Sequence, residues 1–171
     1  MTLDRFERGL VAVNRWVVFA MMLTMATLVF INVVCRYALN FSIIWAEEIS
    51  QYLMIWIAFL GAGLALREGR HVALEMLQDR LPARVSRGLR TAIAALILVF
   101  LGTVTVLGFQ FAAFVWSQET PVLNISLGIP SLAIPVGTLL FAVHLALILR
   151  KYRDRQWAPG VVLEDLSGDE V

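Results

Sequence analysis

The sequence predicts an all-α membrane protein of four transmembrane helices, with both termini cytoplasmic and a short interfacial amphipathic helix between helices two and three. Three observations lead to it. The 171 residues are 60% hydrophobic and 16% charged, with a mean hydropathy of +0.79, against about 45–50% and about 25% in soluble domains. Four long apolar runs punctuate the chain. All of the 14 Lys and Arg residues except Arg36 fall into three segments that four crossings bring to one face.

The first run, Trp16 to Val34, is broken only by Thr24, Thr27 and Asn32. It is longer than the apolar region of a signal peptide and has no small-residue cleavage site near Cys35-Arg36, so it is expected to stay as a helix. The second covers Ile49 to Leu66 and extends back through Trp45 if two carboxylates are admitted. Thr91 to Trp116 carries no charge and is overlong, which predicts tilt or a start among the headgroups. Ile129 to Leu149 contains Pro130, Pro135 and His144. A bilayer core about 30 Å thick needs about 20 helical residues, so the expected spans are 16–36, 43–66, 90–116 and 129–149 within one domain, 1–155. Residues 156–171 read as a disordered acidic cytoplasmic tail.

Orientation follows from the cations. Arg5, Arg8 and Arg15 precede the first span. Six arginines from Arg67 to Arg90 separate the second from the third, and Arg150, Lys151, Arg153 and Arg155 follow the fourth. The positive-inside rule makes these segments cytoplasmic. In the middle segment Leu74, Leu77 and Leu81 share a helical face with Ala73 and Met76, opposite Glu75, Gln78 and Asp79, and Pro82 ends the pattern. This is the expected interfacial helix, with Arg70, Arg84, Arg87 and Arg90 placed for anionic lipid headgroups. A packed connector without lipid contact is the alternative.

Chemistry is sparse. The formal net charge of +1 leaves no electrostatic footprint for nucleic acid, and the single Cys35 forms no internal disulfide. Of the two histidines, His71 lies outside the spans, so a buried bis-histidine haem site is excluded and His144 reads as a packed residue. No catalytic triad, HExxH or phosphate loop can be written. The chain is expected to be neither an enzyme nor a cofactor binder.

The informative stretch runs from Asn32 to Glu48. Asn32 and Arg36 share a face at the outer end of the first span, with Tyr37 beside them, and Trp45, Glu47 and Glu48 open the second. Carboxylates suit a helix N-terminus, and a charge near hydrocarbon needs a partner. The expectation is an ion pair of Arg36 with Glu47 and Glu48 closing the outer hairpin, anchored by Tyr37 and Trp45. Cation binding, proton relay and docking to another protein are the alternatives. Within the second span Gln51, Met54, Ala58, Gly61, Ala62 and Ala65 recur at helical spacing. Such small residues let another helix approach closely, inside this chain or outside it. Pro130 suits a first helical position, whereas Pro135 is expected to bend the fourth span near its entrance.

Taken together, Asn32-x-x-x-Arg36-Tyr37, Trp45-x-Glu47-Glu48, Phe59-x-Gly61 and Arg67-x-Gly69-x-His71-Val72, followed by Ile129-Pro130 and Ile134-Pro135-x-Gly137, resemble the small membrane (Q) subunit of tripartite ATP-independent periplasmic (TRAP) transporters. The resemblance covers about residues 10 to 150. Members often carry an aromatic residue after the first of these prolines, where this chain has Ser131 and Leu132.

The resemblance implies a non-catalytic subunit in the bacterial inner membrane. It packs against the large TRAP membrane subunit as a scaffold for sodium-coupled uptake of an organic acid delivered by a periplasmic substrate-binding protein. That binding protein is a transient partner, facing residues 39–44 and 119–126. The rival reading is a stand-alone proton-coupled exporter using Glu47 and Glu48.

Overall fold

The computed structural model describes residues 2–67 and 83–153. It is all-helical: α1 Thr2–Ala38, α2 Ile44–Arg67, α3 Ala83–Phe114, the single turn α4 Gly128–Ser131, and α5 Ala133–Arg153. Four helical segments are long and apolar enough to cross a membrane, namely Glu7–Ala38, Ile44–Arg67, Thr91–Phe114 and Gly128–Leu147. Four crossings return the chain to the side it started from. Residues 2 and 153 therefore share a terminal side, and the connections 39–43 and 115–127 lie on the far side. The expected interfacial helix, Arg70, His71 and the tail 156–171 fall outside the described residues, as do the side chains of Arg84, Arg87 and Arg90.

The long helices do not close into a bundle. α1 packs along α2, α2 along α5, and α5 along α3, with no other long pair packed along its length. This is a row one helix thick, and burial follows from it. Only 6% of the most apolar window of α1 is buried, against 39% for the last span. α1 meets its neighbour through a narrow seam: Glu7, Val11, Asn14, Val18, Met21, Met25, Leu28, Asn32 and Cys35 are shielded at alternating steps of four and three, with Leu10 beside them. α3 repeats the pattern with Ala94, Leu98, Leu101, Thr105, Gly108 and Ala112. Such a seam is the spacing of neighbouring helices that cross at a shallow angle. α1, with 37 residues, is about 55 Å long and outruns the hydrocarbon core.

Close approach between α2 and α5 rests on two glycines. A Cβ on Gly63 would lie 2.6 Å from the His144 ring, and one on Gly137 would overlap Phe59. The small stripe singled out in the sequence faces elsewhere. Gln51, Met54, Ala58 and Ala65 are exposed, Gly61 and Ala62 are half-buried, and a Cβ at Gly61 meets nothing within 4 Å. Helical spacing identifies a stripe of small residues but not its neighbour, and α2 carries more than one such face.

The entrance to the last span stays helical through Leu132, which has φ −61° and ψ −18°, donates to the Gly128 carbonyl at 2.9 Å and accepts from the Val136 N–H at 3.1 Å. Pro135 has no N–H to continue the ladder, which accounts for the interruption between α4 and α5, and its ring packs on Gly108 of α3. Several hydroxyls inside the spans are satisfied by the fold. Thr24, Thr27 and Thr103 donate to the carbonyls four residues earlier, and Thr105 of α3 meets Thr138 of α5 at 2.9 Å.

Glycine packing of this kind makes a paired prediction. Gly63→Leu overpacks the α2–α5 contact and is expected to cost about 1–3 kcal/mol or more. Gly61→Leu in the isolated chain is expected to leave the thermal midpoint in detergent unchanged. Equal midpoints for the two variants would contradict the packing described.

Candidate functional site

The far-side site is assembled by the turn between α1 and α2 and the first turn of α2. α1 ends as the amides of Leu39 and Phe41 both return to the Cys35 carbonyl, at 3.0 and 3.2 Å, with Asn40 between them at φ 51°. Asn is among the few residues that adopt this left-handed conformation at modest cost. The turn sets Asn32 and Arg36, one helical turn apart, against the start of α2. Asn32 is buried and uses both ends of its amide. Its Oδ1 accepts from the Ile43 backbone N–H at 2.8 Å, and its Nδ2 donates to Glu47 Oε1 at 3.2 Å. Arg36 pairs with the same Glu47 oxygen and donates to Ser42 Oγ at 3.0 Å. Both partners of this ion pair are about half exposed, and exposed pairs contribute little by themselves. Asn32 is the pin of the hairpin. Tyr37 and Trp45 face outward.

Glu48 does not join that pair, which corrects the expectation that both carboxylates serve Arg36. The reason is azimuthal. Consecutive helical residues point about 100° apart, so when Glu47 faces α1 its neighbour faces away. Glu48 is 7% exposed. Its Oε1 accepts from the Tyr52 hydroxyl at 2.6 Å, and its Oε2 accepts from the backbone N–H groups of Val122 and Leu123 at 3.0 and 2.9 Å. It thereby ties α2 to the loop that joins α3 to α4. That loop is a compact hairpin. Glu119 and Ser126 form an isolated bridge, Thr120 N–H donates to the Ile125 carbonyl at 2.8 Å, and Asn124 takes the left-handed corner at φ 51°. An open groove of about 290 Å³ lies between them, lined by Ile44, Glu47, Glu48, Gln51, Tyr52, Pro121 and Val122.

A second polar cluster, which the sequence reading did not assemble, closes the terminal side. His144 of α5 is fully buried, and its Nδ1 accepts from Arg67 Nε of α2 at 2.7 Å. A guanidinium only donates, so the imidazole is neutral and carries its proton on Nε2. Arg67 NH1 donates to Glu7 Oε1 of α1 at 2.6 Å. Asn14, a heptad further along α1, donates to the Leu60 carbonyl at 3.0 Å beside the His144 ring. One arginine thus joins three helices, and its NH2 is buried without a hydrogen-bond partner among the described residues. A signal was available: Glu7 and Asn14 continue the seven-residue seam of α1 beyond its apolar run.

Both sites hold helices and loops in register. Among the described residues no group of three or more His, Cys, Asp or Glu comes together to hold a metal, and Glu47 and Glu48 are each engaged by the chain's own donors.

Comparison with known proteins assigns the arrangement. The sequence model of the tripartite ATP-independent periplasmic transporters, DctQ component, matches residues 25–154. The chain belongs to that family. DctQ components are parts of transporters and not enzymes, which displaces the stand-alone exporter reading. The chain is similar to the sialic acid TRAP transporter small permease protein SiaQ of Vibrio cholerae, 29% identical over 60% of this chain and 59% of that protein. It is 26% identical to the C4-dicarboxylate TRAP transporter small permease protein DctQ of Rhodobacter capsulatus over 80% of this chain and 71% of the relative. It also matches 16% of the much longer isethionate TRAP transporter permease protein DctMQ of Oleidesulfovibrio alaskensis, at 27% identity over 60% of this chain. The match to SiaQ spans less than two thirds of that relative's length. With four helices long and apolar enough to cross a membrane, this DctQ-type chain is a multi-pass membrane protein of the TRAP transporter family.

Two measurements test the clusters. Glu48→Ala is expected to speed hydrogen exchange at the Val122 and Leu123 amides by about tenfold or more, because these N–H groups lose their acceptor while the rest of the fold persists. Glu7→Ala is expected to destabilise the protein by about 3 kcal/mol in thermal unfolding, because it strands a buried guanidinium. Adding Arg67→Met should recover part of that loss.

Proposed function

We propose that this chain is the small permease subunit of a TRAP transporter and serves as a membrane scaffold. In this reading it packs against a large membrane subunit that carries out sodium-coupled uptake of a small organic anion delivered by a periplasmic binding protein. One observation carries the reading. α2 lies inside the row of helices, with α1 on one side and α5 on another, and still leaves a full-length face open. Ile44, Glu47, Gln51, Met54, Ala58 and Ala65 are exposed along it, with Gly61 and Ala62 only half-covered. Helices associate in lipid through close packing of small residues, and among the described residues no other helix covers this face. The match to part of the longer DctMQ permease supports a partner of that kind.

The solute pathway belongs to the partner in this reading. The hydroxyls of α1 and α3 inside the spans bond their own helices or a neighbouring threonine. The three relatives are named for sialic acid, C4-dicarboxylates and isethionate. All are organic anions, and substrate choice lies with proteins other than this one. In this reading the basic terminal side is the cytoplasmic side of a bacterial inner membrane. The far-side segments 39–44 and 119–126 face the periplasm and the binding protein.

Mild-detergent purification of the tagged chain from its native membrane, followed by mass spectrometry, tests the reading. A stoichiometric and much larger polytopic protein is expected, and a homo-oligomer without one would overturn it. Ala58→Trp is expected to reduce recovery of that partner about tenfold without changing the thermal midpoint of the isolated chain. Glu47→Ala with Glu48→Ala is expected to lower assembly or uptake at unchanged sodium dependence. A shifted sodium dependence at normal assembly would reassign these carboxylates.

A further inference from the structure

The groove at the far-side end of the open face of α2 has unmatched charge. One cation, Arg36, and three carboxylates, Glu47, Glu48 and Glu119, make up the formal charges of residues 36–48 and 115–127. Arg36 is committed to Glu47 Oε1 and Ser42. Glu48 is held by neutral donors alone, the Tyr52 hydroxyl and two backbone N–H groups. Asn32 and Arg36 both use Oε1 of Glu47, and its Oε2 accepts no hydrogen bond among the described residues. One turn further along α2, the exposed Gln51 amide likewise has no hydrogen-bond partner among them.

The groove has the dimensions and lining of a side-chain receptor. At about 290 Å³ it falls just below the usual 300–1,000 Å³ range of small-molecule pockets. Ile44, Pro121 and Val122 supply an apolar wall, while Glu47, Glu48 and Gln51 supply oxygen acceptors. An apolar wall ending in anionic acceptors complements the aliphatic stem and cationic head of lysine or arginine. Ile44, Glu47 and Gln51 belong both to the groove and to the open face of α2. A helix lying along that face therefore brings its far-side end over the groove.

We propose that the groove receives a lysine or arginine side chain of the large membrane subunit, whose head meets Glu47 Oε2 and the Gln51 amide while its stem lies on Ile44, Pro121 and Val122. The contact sets the register of the two subunits at the periplasmic edge of the membrane. The proposal rests on the docking reading above, and the continuity of groove and helix face selects the membrane subunit over the soluble binding protein.

The test uses the co-purified complex and substitutes Gln51, which has no partner of its own in the described fold. Gln51→Lys places a like charge against the incoming cation and is expected to reduce recovery of the large subunit about tenfold. Gln51→Glu is expected to hold the complex together at higher salt than the parent chain withstands. A photo-crosslinking amino acid at position 51 should map within one helical turn of a lysine or arginine of the large subunit. The same probe at position 58 reports on docking alone. Cross-linking from 58 would uphold docking; with it in hand, indifference to both charge variants, a site at 51 without a neighbouring basic residue, or cross-linking from 51 to the binding protein would each overturn the groove assignment. Loss of cross-linking from both positions would overturn docking and groove together.

Discussion

Two carboxylates in adjacent positions at the start of α2 organise the far side of the molecule. They cannot share a partner, because successive helical residues point about 100° apart. Glu47 reaches the end of α1 through Asn32 and Arg36, and Glu48 reaches the hairpin between α3 and α4 through two backbone N–H groups. Arg67 does the corresponding work on the terminal side, joining Glu7 of α1 to His144 of α5. α2 is therefore pinned to α1 and α5 at its terminal-side end, and to α1 and the 115–127 loop at its far-side end. The terminal-side pins are partly buried around the fully buried His144, and the far-side hairpin is held by the buried Asn32 and Glu48, so the α2 ends are expected to be more rigid than its exposed middle face.

The bilayer explains why the pins matter. Lipid tails are as apolar as the side chains they would replace, so burying more leucine does not hold the helices together. What remains is close contact at small residues, as at Gly63 against His144 and Gly137 against Phe59, together with hydrogen bonds between helices, as at Thr105 and Thr138. A row held in this way tolerates slight burial of α1 and keeps wide helix faces available. A closed bundle with the same spans would cover the face of α2 that is exposed here.

The far-side hairpins show how loop chemistry and helix chemistry combine. Asn40 and Asn124 both take the left-handed corner that reverses the chain. Each loop is then anchored by a side chain from a helix: Asn32 accepts from Ile43, and Glu48 accepts from Val122 and Leu123. The surface that results combines ordered backbone with carboxylates held in fixed directions.

Much of this protein was legible in its sequence. The number of spans, the segregation of basic residues to one side, and the coupling of Asn32 and Arg36 to the first turn of α2 follow from composition, hydropathy and short-range spacing. These are local properties, because a helix in lipid satisfies its own backbone and its length is set by the bilayer. Only the tertiary structure decided which carboxylate met Arg36, which glycines brought α2 and α5 together, and how Arg67, Glu7 and His144 met across segments far apart in the chain. It also decided that the Pro135 ring packs on Gly108 of α3. The physical reason is azimuth. Helical spacing defines the faces of each helix, but which face meets which neighbour depends on the order of helices in the row, and no local pattern encodes that order.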